Sequence, residues 1–169
     1  YQAVIDVQGV GSGFDLAAAI WGGTLYYVSP AKVVEPLKIS NLPISVGYTG
    51  VKADTPTLIR MVKNLKEDNP QQIETIFNQI TKLVDRAKEA IKAEDWSQLG
   101  KLMNQDQALL RQLKVSSYEL EQLIDAAIKN KALGAKLSGA GGGDCMLALR
   151  NPANQTQVER SLEKAGGDI

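Results

Sequence analysis

The chain contains no histidine. Without an imidazole it cannot assemble Ser-His-Asp or Cys-His catalysis, or a histidine-ligated metal centre, from these residues. Its single cysteine, Cys145, excludes an internal disulfide and a cysteine-rich zinc site, and it leaves a reducing compartment open. Aromatic residues are sparse, at 5%, and do not interleave with basic clusters. Nineteen Lys and Arg balance nineteen Asp and Glu, so the electrostatic footprint of a nucleic-acid partner is missing. No apolar run approaches the roughly 20 residues of a membrane span. The opening YQAVIDVQG has no basic n-region, so neither a signal peptide nor a membrane partner is expected, and the location expected is cytoplasmic.

What is present suits a folded domain. The 169 residues are 44% hydrophobic and 22% charged, within the roughly 100–200 residues of one domain. Residues 1–50 are rich in glycine and strand formers, residues 53–132 have helical periodicity, and residues 134–169 return to strand and helix. Strands around a long helical block predict an α+β fold with short antiparallel strands.

A short buried helix is expected over 13–20, stopped by Gly22 and Gly23. Strands are expected at 24–28, 37–39 and 44–48. Thr55 followed by Pro56 reads as a helix start, running to about Lys66. Apolar residues at Ile73, Ile76, Phe77, Ile80, Leu83, Val84, Ala87 and Ile91 describe one face of a helix over 70–93. A third runs over 96–113, its stripe interrupted by Asp106, read as a capped or water-facing residue. Ser116 with Glu119 forms a capping-box pattern for a fourth. Strands at 135–137 and 146–149 flank a glycine loop, and Asn154 is expected to cap a last helix to about Lys164. Trp21, Tyr26, Tyr27, Trp96 and Tyr118 are expected to pack.

Three segments are candidates for chemistry. Ser138-Gly139-Ala140-Gly141-Gly142-Gly143 places four glycines in six positions. Such a loop permits positive φ and a concavity of N–H groups that binds anions, and it serves equally as a tight strand connection. It lacks the Gly-Lys-Ser/Thr ending of a Walker loop and the spacing of a dinucleotide fingerprint. Gly11-Ser12-Gly13-Phe14-Asp15 sets a carboxylate at the start of an apolar segment. Asp15 is there either to meet the helix dipole or to act as an acid, base or electrostatic partner. Gly47 to Thr55 leads a strand into a helix N-terminus with Lys52 beside it, an arrangement that receives anions or simply turns. Cys145, with no histidine to activate it, reads as a small buried hydrophobe.

Together these segments resemble the C-terminal part of a GHMP-superfamily kinase. Residues 136–145 are similar to the superfamily's C-terminal glycine motif, and residues 11–19 with Gly22-Gly23 to the segment bearing its catalytic Asp. Within the superfamily, GSGFD at 11–15 and GGGDC at 141–145 are most similar to phosphomevalonate kinases, with mevalonate kinases second. The resemblance implies ATP-dependent phosphoryl transfer with Mg²⁺, to 5-phosphomevalonate or alternatively to the hydroxyl of mevalonate. Asp15 would be the catalytic residue and Ser138, Gly139, Ala140, Gly141, Gly142 and Gly143 the phosphate loop. Ser12, Gly13, Thr49 and Lys52 would bind the acceptor, and no residue here is assigned to metal. Residues 1–52 would close an N-terminal lobe and begin a C-terminal lobe that occupies 53–169. The superfamily's PxxxGLGSSA-type ATP loop is not among these residues. The expectation is therefore half an active site, inactive alone, whose partner is the missing ATP-binding portion; a homodimer is also compatible. A non-catalytic module binding a small anion or a protein is the competing reading, and a purely helical interaction protein ranks below it.

Overall fold

The computed structural model describes residues 5, 6, 9, 11–39 and 41–169. Helix α1 (Phe14–Trp21) leads into a hairpin of β1 (Thr24–Val28) and β2 (Val33–Leu37), and β3 (Ile44–Tyr48) follows. Four helices come next: α2 (Thr55–Asp68), α3 (Pro70–Lys92), α4 (Trp96–Gln112) and α5 (Tyr118–Lys129). Strands β4 (Gly134–Leu137) and β5 (Cys145–Leu149) enclose the glycine loop, and α6 (Gln155–Lys164) ends the series. β5 lies between β3 and β4, antiparallel to both. This is the α+β arrangement that the residue pattern predicts.

The main core forms where α3, α4, α5 and α6 meet that sheet. Ile73, Leu109, Leu120, Leu123, Met146, Val158 and Leu162 are all buried in it. A second cluster joins Ala90, Leu99, Leu102, Met103 and Leu149. The period of three and four in α3 therefore does set its inward face, with Val84 as the exception at 43% exposure.

α4 lies directly on the outer edge of β4. A Cβ on Gly100 would sit 2.3 Å from the Leu133 carbonyl oxygen, and one on Gly134 would sit 2.4 Å from the Gly100 carbonyl oxygen. No other residue fits either position without moving a backbone. At this distance α4 side chains reach the strand's unpaired groups. Asn104 Oδ1 accepts the Ala135 N–H at 3.0 Å, and Gln107 Oε1 accepts the Leu137 N–H at 3.0 Å. Two amides thus take the place of a neighbouring strand and close an edge that would otherwise be open.

The hairpin is tied to α3. Tyr26 donates its hydroxyl to Asp85 at 2.7 Å, Glu35 pairs with Lys88 and Lys92, and Lys88 lies 4.3 Å from the Tyr26 ring centre.

Several expectations need correction. α1 is not a buried helix: Ala17 is turned inward, while Phe14, Ile20 and Trp21 are 53%, 70% and 52% exposed. Apart from Asp15 its run is apolar, but β1 covers only one side. Trp21 and Tyr118 accordingly do not pack as expected, Tyr118 being 72% exposed. β2 ends at Leu37 rather than beginning there, because Leu37 pairs with Thr24. Asp54, not Thr55, caps α2; its carboxylate accepts the Thr57 N–H and hydroxyl. Ser117, not Ser116, caps α5, because the Ser116 hydroxyl is committed to Glu121. Asn154 does not cap α6 with its side chain, which binds Asn151 N–H and the Lys131 carbonyl instead. Asp106 faces Lys136 across 3.4 Å rather than water, and its Oδ1 is buried without a hydrogen-bond partner.

Gly100→Ala tests the helix-on-strand contact. Alanine favours an exposed helix interior by about 1 kcal/mol over glycine, but the backbone overlap here should reverse the sign. A net loss of about 1–3 kcal/mol is expected from overpacking, measured as the urea midpoint. An equal or higher midpoint would contradict it.

Candidate active site

The glycine loop turns through five tight positions among residues 139–144. Gly139, Gly141, Gly142 and Gly143 all have positive φ, as does Asp144 at 53°. The glycines do different work. A Cβ on Gly141 would stand 2.1 Å from the Val115 carbonyl oxygen, and one on Gly143 would stand 2.4 Å from that of Val51. These two are required by close backbone approach. Gly139 has φ 76° with nothing within 4 Å of its Cβ position, so it is required by conformation alone and faces open space.

The loop's hydrogen bonds divide in the same way. Gly142 N–H donates to the Val115 carbonyl at 2.7 Å, Asp144 N–H to that of Val51 at 2.7 Å, and Ser138 N–H to that of Cys145 at 2.9 Å. Among the described residues no acceptor meets the N–H groups of Gly139, Ala140, Gly141 or Gly143. The loop is therefore fastened at its far side and leaves a run of donors that can meet an anion.

Two of the three predicted segments come together here. The Val51 carbonyl that holds Asp144 lies between β3 and the start of α2, so the loop abuts the segment 47–54. Thr49 is buried, and its hydroxyl bonds Val51 N–H and carbonyl at 3.2 Å each. That hydroxyl shapes the turn. Lys52 is exposed and, among the described residues, makes no ion pair, so its ammonium can meet an anion.

The third segment is held from the hairpin. The Ser12 carbonyl accepts the Tyr27 hydroxyl at 2.7 Å and the Ser29 hydroxyl at 2.9 Å. Gly13 then takes φ 81° at the N-cap of α1, and Asp15 stands exposed in the first turn. Phe14 and Tyr27 line a cleft of about 360 Å³ that also includes Asp106 and Lys136. Lys136 lies two residues before Ser138, so the segment bearing Asp15 and the strand feeding the loop border one cleft.

Polar residues of α4 and α5 support the loop, and residue patterns pointed to none of them in that role. Gln107 bonds Ser116 and Glu121 at 2.9 and 3.1 Å, and Glu121 receives Arg111 through three bonds. The available signal is that Gln107 falls four residues after Met103 and three before Leu110, on the apolar face of α4. Burial tends to push the Glu121 carboxyl up, but bonds from Arg111, Ser116 and Gln107 outweigh it and hold the group below its ordinary value. Burial and the Asp144 carboxylate push the Cys145 thiol up, which suits an unreactive thiol.

Among the described residues no three His, Cys, Asp or Glu side chains converge as a metal site. The residues present do not form a Mg²⁺ cage. No helix among them is long and apolar enough to cross a membrane.

The segment that carries the glycine loop and its supporting helices matches a known family. Residues 87–168 fit the model described as GHMP kinases C terminal. Residues 87–168 are a GHMP kinase C-terminal domain. The mevalonate kinase of Pyrococcus horikoshii is 44% identical over 166 residues, which are 95% of this chain and 49% of that protein. The chain thus spans about half the length of the curated relatives it matches. A crystal structure of L. major mevalonate kinase with R-mevalonate superposes with a TM-score of 0.82 at 34% identity, over 93% of this chain and 48% of that one. Streptococcus pneumoniae phosphomevalonate kinase, in complex with phosphomevalonate and AMPPNP, gives 0.81 at 22% identity, over 99% and 57%.

These values correct the expected preference for phosphomevalonate kinase. The backbone fits both kinases equally well, so the fold does not separate them, but the sequence is far more similar to the mevalonate kinases. The GSGFD and GGGDC patterns misled because their glycines encode backbone turns at positive φ, which two kinases of the same fold can share, and so do not separate one acceptor from another.

The Glu121 network makes stability depend on pH. Its folded-state pKa lies below the ordinary 4.5, so its contribution is present above that value and is lost as pH falls through the folded value. Urea midpoints taken from about pH 7 to about pH 3 should fall toward acid. Glu121→Gln should lower the neutral midpoint and flatten that fall; an unchanged slope would show that Glu121 does not carry it.

Proposed function

We propose that this chain is the C-terminal part of an ATP-dependent mevalonate kinase, transferring the γ-phosphoryl group to the mevalonate hydroxyl. The carrying observation is the 44% identity to a mevalonate kinase over 95% of the chain. The loop geometry is compatible with it, because four N–H groups without protein acceptors suit a phosphate chain.

In this reading residues 1–52 bring the catalytic carboxylate and residues 53–169 bring the glycine loop. Ser138, Gly139, Ala140, Gly141, Gly142 and Gly143 face the ATP phosphates, with N–H donors placed before charge develops on the transferring group. Asp15 orients the mevalonate hydroxyl and accepts its proton as the phosphoryl group arrives. Its exposed position at the start of α1 leaves both carboxylate oxygens available. Ser12 and Gly13 shape the backbone beside the acceptor, and Lys52 offers a positive charge to an anionic group. Thr49 contributes by holding the turn that presents Lys52. Mg²⁺ accompanies ATP, as it usually does when few carboxylates and substrate phosphates share it. Catalysis on this plan is chiefly positioning and charge stabilisation, which needs no histidine.

The test is a coupled assay of the full-length gene product with ATP and either mevalonate or 5-phosphomevalonate. Consumption of mevalonate is expected, and consumption of neither would refute the kinase reading. Asp15→Asn should lower kcat by about 10²–10⁴-fold with the melting temperature unchanged. Near-normal turnover in that variant would remove Asp15 from the chemistry.

A further inference from the structure

One buried amide ties together both ends of the glycine loop. Gln107 is 1% exposed. Its Oε1 accepts the N–H of Leu137 at 3.0 Å, the residue just before Ser138. Its Nε2 donates to Ser116 Oγ at 2.9 Å and to Glu121 Oε1 at 3.1 Å. Val115, adjacent to Ser116, accepts Gly142 N–H at 2.7 Å at the other end of the loop. The path from Leu137 through Gln107, Ser116 and Val115 to Gly142 therefore spans Ser138–Gly141. Within that span lie three of the loop's four N–H groups without acceptors, those of Gly139, Ala140 and Gly141.

We propose that Gln107 is a positioning residue for phosphoryl transfer: it sets the separation of the loop's two ends and so the direction of the N–H groups between them. This rests on the reading of Ser138–Gly143 as the phosphate loop. The chemistry of the head group carries the inference. The site uses one acceptor and two donors on a single planar group, which an amide supplies and neither a carboxylate nor an ammonium does. A core position needing only volume is filled as well by methionine. Glutamate there would face Glu121 with a second carboxylate where a donor now stands. Arg111, bonded to Glu121 through Nε and Nη2, keeps that acceptor charged and fixed. Lys136 adds a parallel tie at the same strand end, donating Nζ to the Leu137 carbonyl at 2.7 Å. The strand end, the loop and the turn 113–117 are thus joined by side chains that make no contact with solvent-facing Gly139.

The experiment uses the full-length protein with ATP and mevalonate, comparing Gln107→Met, Ser116→Ala and Gly139→Val. In Gln107→Met, kcat/KM for ATP should fall about tenfold to a hundredfold, the scale expected for displaced positioning groups. The KM for mevalonate should stay within about twofold, because acceptor contacts are not moved. Ser116→Ala, which removes one arm, should shift the same parameter in the same direction by less. A lower melting temperature with unchanged ATP kinetics would overturn the proposal, since a merely structural role predicts that. If Gln107→Met does not fold, Gln107→His, which keeps one donor and one acceptor, decides with Ser116→Ala; normal ATP kinetics in both overturn it. Gly139→Val separates the two readings. If it loses ATP kinetics while Gln107→Met keeps them, the Gln107 role alone fails. If Gly139→Val is itself normal, the phosphate-loop reading fails and takes this role with it.

Discussion

The contact of α4 with the edge of β4 is the constraint from which the rest follows. Gly100 and Gly134 bring a helix backbone against a strand backbone with no side chain between them. Only at that distance do Asn104 and Gln107 reach the strand's outward N–H groups, and only then does Asp106 meet Lys136. A helix packed at the usual 8–10 Å between axes leaves such groups to water. Here they are buried, so each must be bonded, and the polar residues on the inner side of α4 answer that requirement.

The glycine motif has two physical meanings at once. Gly141 and Gly143 are glycines because Val115 and Val51 occupy the space where a side chain would go. A Cβ on Gly142 would stand 2.7 Å from the Leu58 side chain, and the residue has positive φ besides. Gly139 is the one loop glycine whose freedom serves nothing inside the protein. Counting glycines therefore overstates how much of the motif is built for a ligand. The greater part builds the junction of loop, turn 113–117 and the start of α2, and that junction leaves the remaining donors without acceptors among the described residues.

Much of this architecture was legible in the residues. The spacing of Ile73, Ile76, Ile80 and Leu83 marked α3, and the order of strands around a helical block marked an α+β fold. The two glycine segments marked the superfamily. What failed did so where a tertiary contact chose between local alternatives. Ser116 and Ser117 are equally good caps by type, and the pull of Glu121 on Ser116 decided between them. α1 is apolar apart from Asp15, so its sequence states its inward side only weakly. Gln107 was passed over because a glutamine in a helix is ordinarily a solvated residue, and its role exists only once β4 lies alongside. The preference for phosphomevalonate kinase failed for a related reason: glycine turns report backbone shape, and kinases named for different acceptors share that shape.

The two halves of the candidate site are anchored by different forces. The glycine loop hangs on buried neutral amides, carbonyls and a half-buried carboxylate–guanidinium pair. The segment bearing Asp15 is pinned to Tyr27 and Ser29 of the hairpin region, and the hairpin meets α3 largely through Glu35, Lys88, Lys92 and the Tyr26–Asp85 bond. Dissolved ions weaken exposed charge pairs far more than buried dipoles, with a screening length of about 8 Å at physiological ionic strength. Ionic strength therefore acts on the hold over the carboxylate's side of the cleft and scarcely on the loop's side. The solvent's salt content becomes a handle on the alignment of the two halves that leaves the buried contacts between the sheet and its helices largely unchanged.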